Sequence, residues 1–325
     1  MRPLRLCGKN SYNSHLPWLA IRPAGRYYRE KTNLMDAPQF FTTDDGITLH
    51  YRLWRGGEHR PLIVLLHGMA SNLTRWSEFV EHTALKDRFD ILRLDLRGHG
   101  RSFTRRPIGM ERWVRDLASI LEAQGYERAL LVGHSLGANV ALWFAAREPQ
   151  RAAGLVLIDP VLTEALRGGT RWLHRLAPLL RLVVWSLRLL NWLGFRRRHI
   201  PLRDLRQLDE QVREQLLGAG KDKDFVKRYT SPRADLRYFP TAHYVRELIE
   251  ITRPVPTLEQ LRAPVLALIS RAVTFTDTAE TRAALARCPQ LQVEELSAYH
   301  WPLTEKPVEV RQAIEAWCAK LARQN

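Results

Sequence analysis

The feature that most constrains this chain is a tight turn at residues 129–147, ALLVGHSLGANVALWFAAR. Residues 129–132 form an apolar run that predicts a buried strand, and residues 136–147 have the apolar spacing of a helix. A side chain at either glycine of the GHSLG motif would collide with the neighbouring strand or helix. The pattern therefore predicts that Ser135 sits in strained backbone with its hydroxyl exposed at one end of a sheet.

A serine in such a turn is a candidate nucleophile. The helix that follows it starts with free backbone N–H groups and the positive end of a helix dipole, which would stabilise an oxyanion formed there. The alternative is a chance G-x-S-x-G in an ordinary glycine turn. The strand before the motif and the helix after it argue against that alternative.

Net charge and cysteine usage limit the classes of partner. The formal charge of +16 and the pI of about 10.3 would suit nucleic-acid binding. However, no zinc-finger spacing, aromatic RNA-binding strand or helix-turn-helix pattern is present, so we expect no nucleic-acid partner. Three widely spaced cysteines indicate a reducing, cytoplasmic compartment. No apolar run of about 18 residues predicts a membrane-spanning helix.

The first 37 residues differ from the rest of the chain. Seven basic residues and one acid occur among residues 1–34, without sustained periodicity. We interpret residues 1–37 as a basic extension that is either disordered or upstream of the true start. A membrane or targeting arm is the alternative.

Eight strands and the helices between them predict the architecture. Apolar or alternating runs predict strands at 40–43, 47–54, 62–66, 91–94, 129–132, 154–158, 265–269 and 291–296. Helical patterns follow several of them, at 73–85, 110–124, 136–147, 278–287 and 307–321. This alternation predicts an α/β fold with a mostly parallel, doubly wound, eight-stranded sheet built from residues 38–160 and 263–325. Residues 161–262 are too long for a connection and predict an inserted helical cap.

Three motifs now occur in a familiar order, and together they carry a resemblance. They are HGM at 67–69, DLRGHGRS at 95–102 and GHSLGA at 133–138. From about Phe40 to its end, the chain resembles capped members of the α/β-hydrolase superfamily. Ser135 at the nucleophile position disfavours the dehalogenase and epoxide hydrolase branches of that superfamily, which attack with Asp.

The same motifs indicate the groups around the nucleophile. The backbone N–H groups of Leu136, directly after the serine, and of Met69, after the strand at 62–66, are placed to form an oxyanion hole. We expect Gly68, His134 and Trp301 to line the substrate pocket beside them.

The resemblance implies that His300 is the catalytic base. His300 follows the last strand, where the family carries its histidine, and Pro307 matches the proline of the closing helix. An imidazole with a pKa near 6.5 can accept the serine proton and return it to the leaving group. The alternative is an ordinary surface histidine.

The catalytic acid is where this chain departs from the family. In the run PVLALISRAV at 264–273, Ser270 stands for the usual Gly and Val273 for the usual Asp. Asp159 ends the sixth strand, from which some relatives, including haloalkane dehalogenases, supply their acid. Asp277 is the alternative, although its Asp-x-x-Glu pattern predicts a helix N-cap. A site without a carboxylate stays open.

The predicted cap contains a stripe of arginine and tryptophan. Residues 165–203 hold nine arginines and no acid, and Arg181, Trp185, Arg188 and Trp192 fall on one side of a predicted helix. Such a stripe suits peripheral contact with a membrane, or a lid over a lipophilic channel. An ordinary cap helix with arginines stacked on tryptophans fits equally well.

The function predicted from these features is hydrolysis of carboxylic esters or thioesters through an acyl-enzyme on Ser135. Such a mechanism requires no metal and no organic cofactor. A cofactor-free haloperoxidase or an acyltransferase with the same triad would have the same motifs. A binding protein that kept the fold without catalysis would explain the missing Asp at position 273. Substrate identity and oligomeric state do not follow from these motifs.

Overall fold

One mixed sheet organises the molecule, seen in a computed structural model that describes residues 36–57 and 60–321. Its eight strands are β1 (Ala37–Thr42), β2 (Thr48–Trp54), β3 (Leu62–Leu66), β4 (Asp90–Leu94), β5 (Ala129–His134), β6 (Ala152–Ile158), β7 (Val265–Ser270) and β8 (Leu291–Leu296). Their order is β1-β2-β4-β3-β5-β6-β7-β8. Only the pairs β1–β2 and β2–β4 are antiparallel. The predicted mostly parallel sheet of an α/β fold is confirmed.

Helices cover both faces of the sheet. In chain order, the α-helices of the described residues are α1 (Ser77–His82), α2 (Met110–Ala123), α3 (Leu136–Arg147), α4 (Thr170–Leu173), α5 (Ala177–Trp192), α6 (Leu205–Val212), α7 (Asp222–Tyr229), α8 (Pro232–Asp235), α9 (Thr241–Ile251), α10 (Thr278–Leu285), α11 (Pro302–Glu305) and α12 (Pro307–Leu321). The apolar faces of α2 and α3 pack on one side of the sheet, and those of α1 and α12 pack on the other. β3 and β4, between these layers, are buried along their whole length. Burial on both faces explains the unbroken apolar sequence of β3, whereas β4 contains Asp90 and Arg93, each with a polar partner.

Two predicted boundaries change. The single helix predicted for 73–85 is wrong: a 3₁₀ turn precedes α1, and a second follows Thr83. Thr83 is extended, and its hydroxyl accepts the N–H of Leu85, so it ends one helix and caps the next turn. At the other boundary, β1 begins at Ala37, within the predicted extension. The remainder of that extension, up to residue 35, lies outside the described residues.

The residues between β6 and β7 form a largely helical segment, and two of its helices are held differently. On α9, Glu247 accepts the backbone N–H of Ala70 at 3.0 Å, and Glu250 accepts that of Met110 at 3.2 Å. α9 is therefore tied to two loops of the sheet layer. α5 packs on α9, but Val184 is its one buried residue.

No helix of the described residues is long and apolar enough to cross a membrane.

Candidate active site

The turn after β5 places Ser135 at the carboxyl end of the central strands. Ser135 has a φ of 52°, which a side-chain-bearing residue rarely adopts, so the predicted strain is confirmed. A Cβ at Gly133 would lie 2.3 Å from Gly137, and one at Gly137 would lie 2.3 Å from the carbonyl of Leu66. Only glycine fits at these two positions, and their close packing fixes the direction of the serine side chain.

His300 reaches Ser135 from the loop after β8. The Ser135 hydroxyl and His300 Nε2 are 3.1 Å apart, so Oγ–H can donate to the ring nitrogen when Nδ1 carries the proton. Glu305 of α11 holds this loop by accepting the N–H groups of Tyr299 at 2.9 Å and Trp301 at 3.0 Å. His300 is therefore held by hydrogen bonds to the backbone on both sides of it.

Asp159, directly after β6, lies behind His300. Its Oδ2 is 3.9 Å from His300 Nδ1, longer than a direct hydrogen bond. Ser270 at the end of β7 donates its backbone N–H to one oxygen of Asp159 at 2.7 Å and its hydroxyl to the other at 2.5 Å. Asp159 also has a positive φ of 44°, so strained backbone turns its side chain at this site as well.

Asp277, the alternative acid, is engaged elsewhere. Its side chain accepts the N–H of Glu280 at 2.9 Å as the N-cap of α10, and it pairs with Arg167. The structure brings Ser135, His300 and Asp159 together and gives Asp277 the helix-capping role that its sequence pattern predicts.

Burial shifts the pKa values of both Asp159 and His300. Loss of solvent raises the pKa of Asp159 to about 7, although the two hydrogen bonds from Ser270 lower it. Burial also holds the pKa of His300 well below its usual range, and the neighbouring His134 ring adds to that effect. The imidazole is therefore neutral at neutral pH, the form that accepts a proton.

The loop after β3 lies against the nucleophile turn. A Cβ at Gly68 would lie 3.1 Å from His134 Nδ1 and 3.4 Å from the Ser135 Cβ. Met69 follows it and lines the same pocket as Ser135. Leu136 is the first residue of α3, so its N–H has no intrahelical acceptor. Both predicted oxyanion donors are therefore on segments that border the serine.

A cavity of about 290 Å³ opens over Ser135 and is lined mainly by apolar side chains. Gly68, His134 and Trp301, which the sequence assigns to the pocket, all line it. His134 donates Nε2–H to the carbonyl of His300 at 2.8 Å, so it also supports the His300 loop. The helical segment supplies further lining residues, which are Leu166, Thr170, Leu173, Tyr229, Thr230, Pro232, Asp235, Tyr244, Leu248, Ile251 and Thr252.

Two charged side chains, Arg75 and Asp235, line the cavity, and each lies near a side chain of opposite charge. Arg75 pairs with Asp209 of α6 and lies over the ring of Tyr229. Asp235 lies 3.6 Å from Arg203, and burial raises the pKa of its carboxyl to about 6. Across residues 36–57 and 60–321, no group of three or more His, Cys, Asp or Glu side chains is placed to hold a metal ion.

Sequence reasoning missed three supporting residues. Ser270, noted only as a replacement for Gly, is the partner of Asp159. Glu305 fixes the His300 loop, and Glu247 fixes Ala70, directly after the predicted oxyanion donor Met69. The available signal was the pair Glu247 and Glu250 within the run ELIEI at 247–251, since acids among apolar residues of a buried helix face need partners.

Curated relatives match only part of this chain. Lipase LipV from Mycobacterium tuberculosis is 37% identical over 117 residues, which is 36% of this chain and 43% of that protein. Epoxide hydrolase B from the same organism is 35% identical over 102 residues, or 30% of this chain and 28% of that protein. The chain thus spans less than half the length of either relative.

Solved structures share the whole fold at low identity. A thermophilic esterase from Thermogutta terrifontis has a TM-score of 0.60 and 22% identity, covering 89% of this chain and 99% of that one. A hydrolase from Pseudomonas aeruginosa has a TM-score of 0.60 and 23% identity, covering 86% and 98%. The family model described as alpha/beta hydrolase fold matches residues 61–307. This chain therefore belongs to the alpha/beta hydrolase family.

Proposed function

We propose that this protein is a serine hydrolase that cleaves lipophilic carboxylic esters or thioesters through an acyl-enzyme on Ser135. The observation that carries the proposal is the 3.1 Å contact between the Ser135 hydroxyl and His300 Nε2 at the base of an apolar cavity. The lipase and esterase among its relatives support an ester substrate, and the apolar lining favours a lipophilic acyl or alcohol group.

In the proposed reaction, Ser135 Oγ attacks the carbonyl carbon while His300 Nε2 takes the hydroxyl proton. The N–H groups of Met69 and Leu136 stabilise the oxyanion, and Asp159 stabilises the imidazolium. The tetrahedral intermediate expels the alcohol or thiol, which leaves with the proton from His300. Water then attacks the acyl-enzyme with His300 as base, which releases the acid and restores Ser135.

A fluorophosphonate probe tests the proposal, because only an activated serine reacts with it quickly. We expect the native chain to label and Ser135→Ala to lose both labelling and turnover of nitrophenyl esters. Ser297→Ala is the matched control, since Ser297 is an exposed serine. Retained labelling in Ser135→Ala would remove Ser135 from the mechanism.

The same assay separates the rival functions. A chain that does not label supports the non-catalytic binding protein. A chain that labels but transfers its acyl group to an added alcohol rather than to water supports an acyltransferase. A series of nitrophenyl esters of increasing acyl length then measures substrate preference, and we expect kcat/KM to rise with chain length until the cavity is filled.

We also propose that the protein works in a reducing compartment. Cys288 and Cys318 are both buried free thiols, which supports a reducing, cytoplasmic setting.

A further inference from the structure

Helix α5 presents a broad apolar surface to solvent. Trp185 is 62% exposed and Trp192 is 78% exposed, and just beyond the helix Phe195 is 74% exposed. Large apolar side chains in such numbers are unusual on one helix face of a soluble domain and mark an interaction site. We call this surface the outer α5 face; it consists of Leu179, Leu182, Trp185, Leu189, Trp192 and Phe195.

The charge around the outer α5 face has one sign. Between residues 165 and 203 there are nine arginines and no Asp or Glu. Arg196 and Arg198 are exposed next to Phe195. Burial and, after it, the charges of Arg196 and Arg197 lower the pKa of Arg105, so these cations lie near enough to repel one another. An anionic partner would relieve that repulsion.

This combination selects one occupant. A second copy of the chain would bring an identical cationic rim to the interface, so like charges would oppose association. An anionic phospholipid surface offers phosphates to the arginines and an apolar layer to the leucines and tryptophans. α5 has 16 residues and rises about 24 Å, short of the roughly 30 Å of a bilayer core. It would therefore lie along the surface.

The outer α5 face also belongs to the segment that covers the candidate site. Leu173 of α4 lines the cavity over Ser135, whereas its neighbour Trp172 is exposed. Contact at this surface would bring the covering segment to the lipid. We propose that the outer α5 face and the arginines around it form a docking surface for an anionic phospholipid bilayer.

Vesicle sedimentation of the full chain tests the docking surface. We expect binding to vesicles of phosphatidylcholine mixed with phosphatidylglycerol, weak binding to phosphatidylcholine alone, and loss of binding at high salt. The pair Leu182→Ser and Trp185→Ser should lower the partition coefficient at least about tenfold, because it removes apolar area from the lipid contact. Val308→Ser, an exposed apolar residue on α12, is the matched control.

The arginines are tested separately. Arg196→Gln with Arg198→Gln should lower the partition coefficient roughly thirtyfold, because each arginine near an anionic surface contributes about a factor of five. The matched pair Arg88→Gln and Arg128→Gln, both exposed on the sheet layer, removes the same charge and should change binding far less. Equal losses from the two pairs would mean non-specific attraction and overturn the proposal.

Brominated lipid gives a readout specific to this surface. Vesicles of phosphatidylglycerol mixed with phosphatidylcholine that carries brominated acyl chains should quench the fluorescence of the bound protein. Trp185→Phe with Trp192→Phe should abolish most of that quenching while binding persists. Absence of vesicle binding by the native chain overturns the proposal. So does a concentration-dependent dimer in sedimentation velocity that Leu182→Ser and Trp185→Ser remove. Turnover of a water-soluble ester should be unchanged in all these variants, so docking and hydrolysis can fail independently.

Discussion

Ser135, His300 and Asp159 are each 5% exposed and each has a polar partner, whereas the outer α5 face exposes two tryptophans and a phenylalanine to water. The two regions meet the same helical segment, since its residues line the cavity over Ser135 and its helix α5 carries the exposed face. The group around Ser135 buries polar side chains and gives each a hydrogen-bond or charged partner, whereas the outer α5 face leaves apolar side chains in contact with water.

The difference shows how the two regions depend on their surroundings. A buried carboxylate is tolerated only where donors compensate its lost hydration, as Ser270 does for Asp159. An exposed tryptophan needs no such partner, so its side chain can change with little effect on the fold. We therefore expect changes near Ser135 to alter turnover but not lipid binding, and changes on α5 to do the reverse.

The largest expected effect is that of Asp159→Asn. Loss of the carboxylate should lower kcat by about 10³-fold to 10⁴-fold, by analogy with the loss of the acid in a serine protease triad. Vesicle binding should be unchanged. The matched control is Asp277→Asn, which removes a helix cap and an ion pair and should lower the melting temperature slightly with kcat nearly unchanged. The reverse ranking in kcat would overturn the assignment of the acid.

The next effect concerns Glu247, which accepts the N–H of Ala70 in the loop after β3, directly after the proposed oxyanion donor Met69. Glu247→Ala removes the acceptor, so we expect kcat to fall by about tenfold to a hundredfold, less than the full loss of an oxyanion donor. Glu247→Gln keeps an acceptor and should restore most of kcat. Glu250→Ala is the control, because it loosens α9 at Met110 rather than at this loop. An equal loss of kcat in Glu250→Ala would mean that general attachment of α9, and not positioning of the loop, is responsible.

pH should act on turnover mainly through Asp159. Burial raises the pKa of its carboxyl to about 7, so at lower pH the residue is neutral and cannot stabilise an imidazolium. We expect kcat/KM for a soluble ester to fall as pH decreases through about 7 and vesicle binding to show no such step. The measured value belongs to the coupled pair of Asp159 and His300. A profile that stays flat well below this pH would contradict the expectation.

The stability of the fold should respond to the same group with the opposite sign. Between its ordinary value of 3.8 and about 7, Asp159 binds a proton in the folded state and not in the unfolded state. Its contribution to the free energy of unfolding is therefore lost as pH rises through that window. Asp159→Asn lacks this loss, so its melting temperature should rise relative to the native chain as pH increases. A constant difference would show that folding does not raise the pKa of this group.

The smallest effect sharpens the contrast in packing. Leu157→Ala in the buried strand β6 should lower the free energy of unfolding by about 2–5 kcal/mol, because the substitution leaves a cavity. Leu182→Ala on the outer α5 face should change the free energy of unfolding by no more than about 0.5 kcal/mol. Chemical denaturation measures both. A large loss for Leu182 would mean that this face is covered by protein in the folded chain.

Much of the fold is predictable because its signals are local. The strand at 62–66 matches the structure residue for residue, since a parallel strand buried on both faces is a continuous apolar run. The edge strand at 291–296 also matches, although Gln292, Glu294 and Glu295 interrupt its apolar residues. The helix predicted for 73–85 fails because Thr83 interrupts it with a cap that an apolar pattern does not reveal.

The candidate site is less predictable where it depends on distant contacts. Ser135 follows from its own turn, but the hydrogen bonds from Ser270 to Asp159 join residues 111 positions apart. The bond between Ala70 and Glu247 spans 177 positions. The α5 stripe was visible in the sequence, but which side faces solvent depends on packing against α9. Such pairings arise only from the tertiary fold.

The most direct test of the central claim is to trap the acyl-enzyme. Acid quenching during turnover of a nitrophenyl ester, followed by mass spectrometry of the intact chain and its peptides, measures both the amount and the position of the acyl group. We expect up to one acyl group per chain, on Ser135. Turnover with no acyl group on the chain, or with the acyl group on another residue, would contradict this expectation.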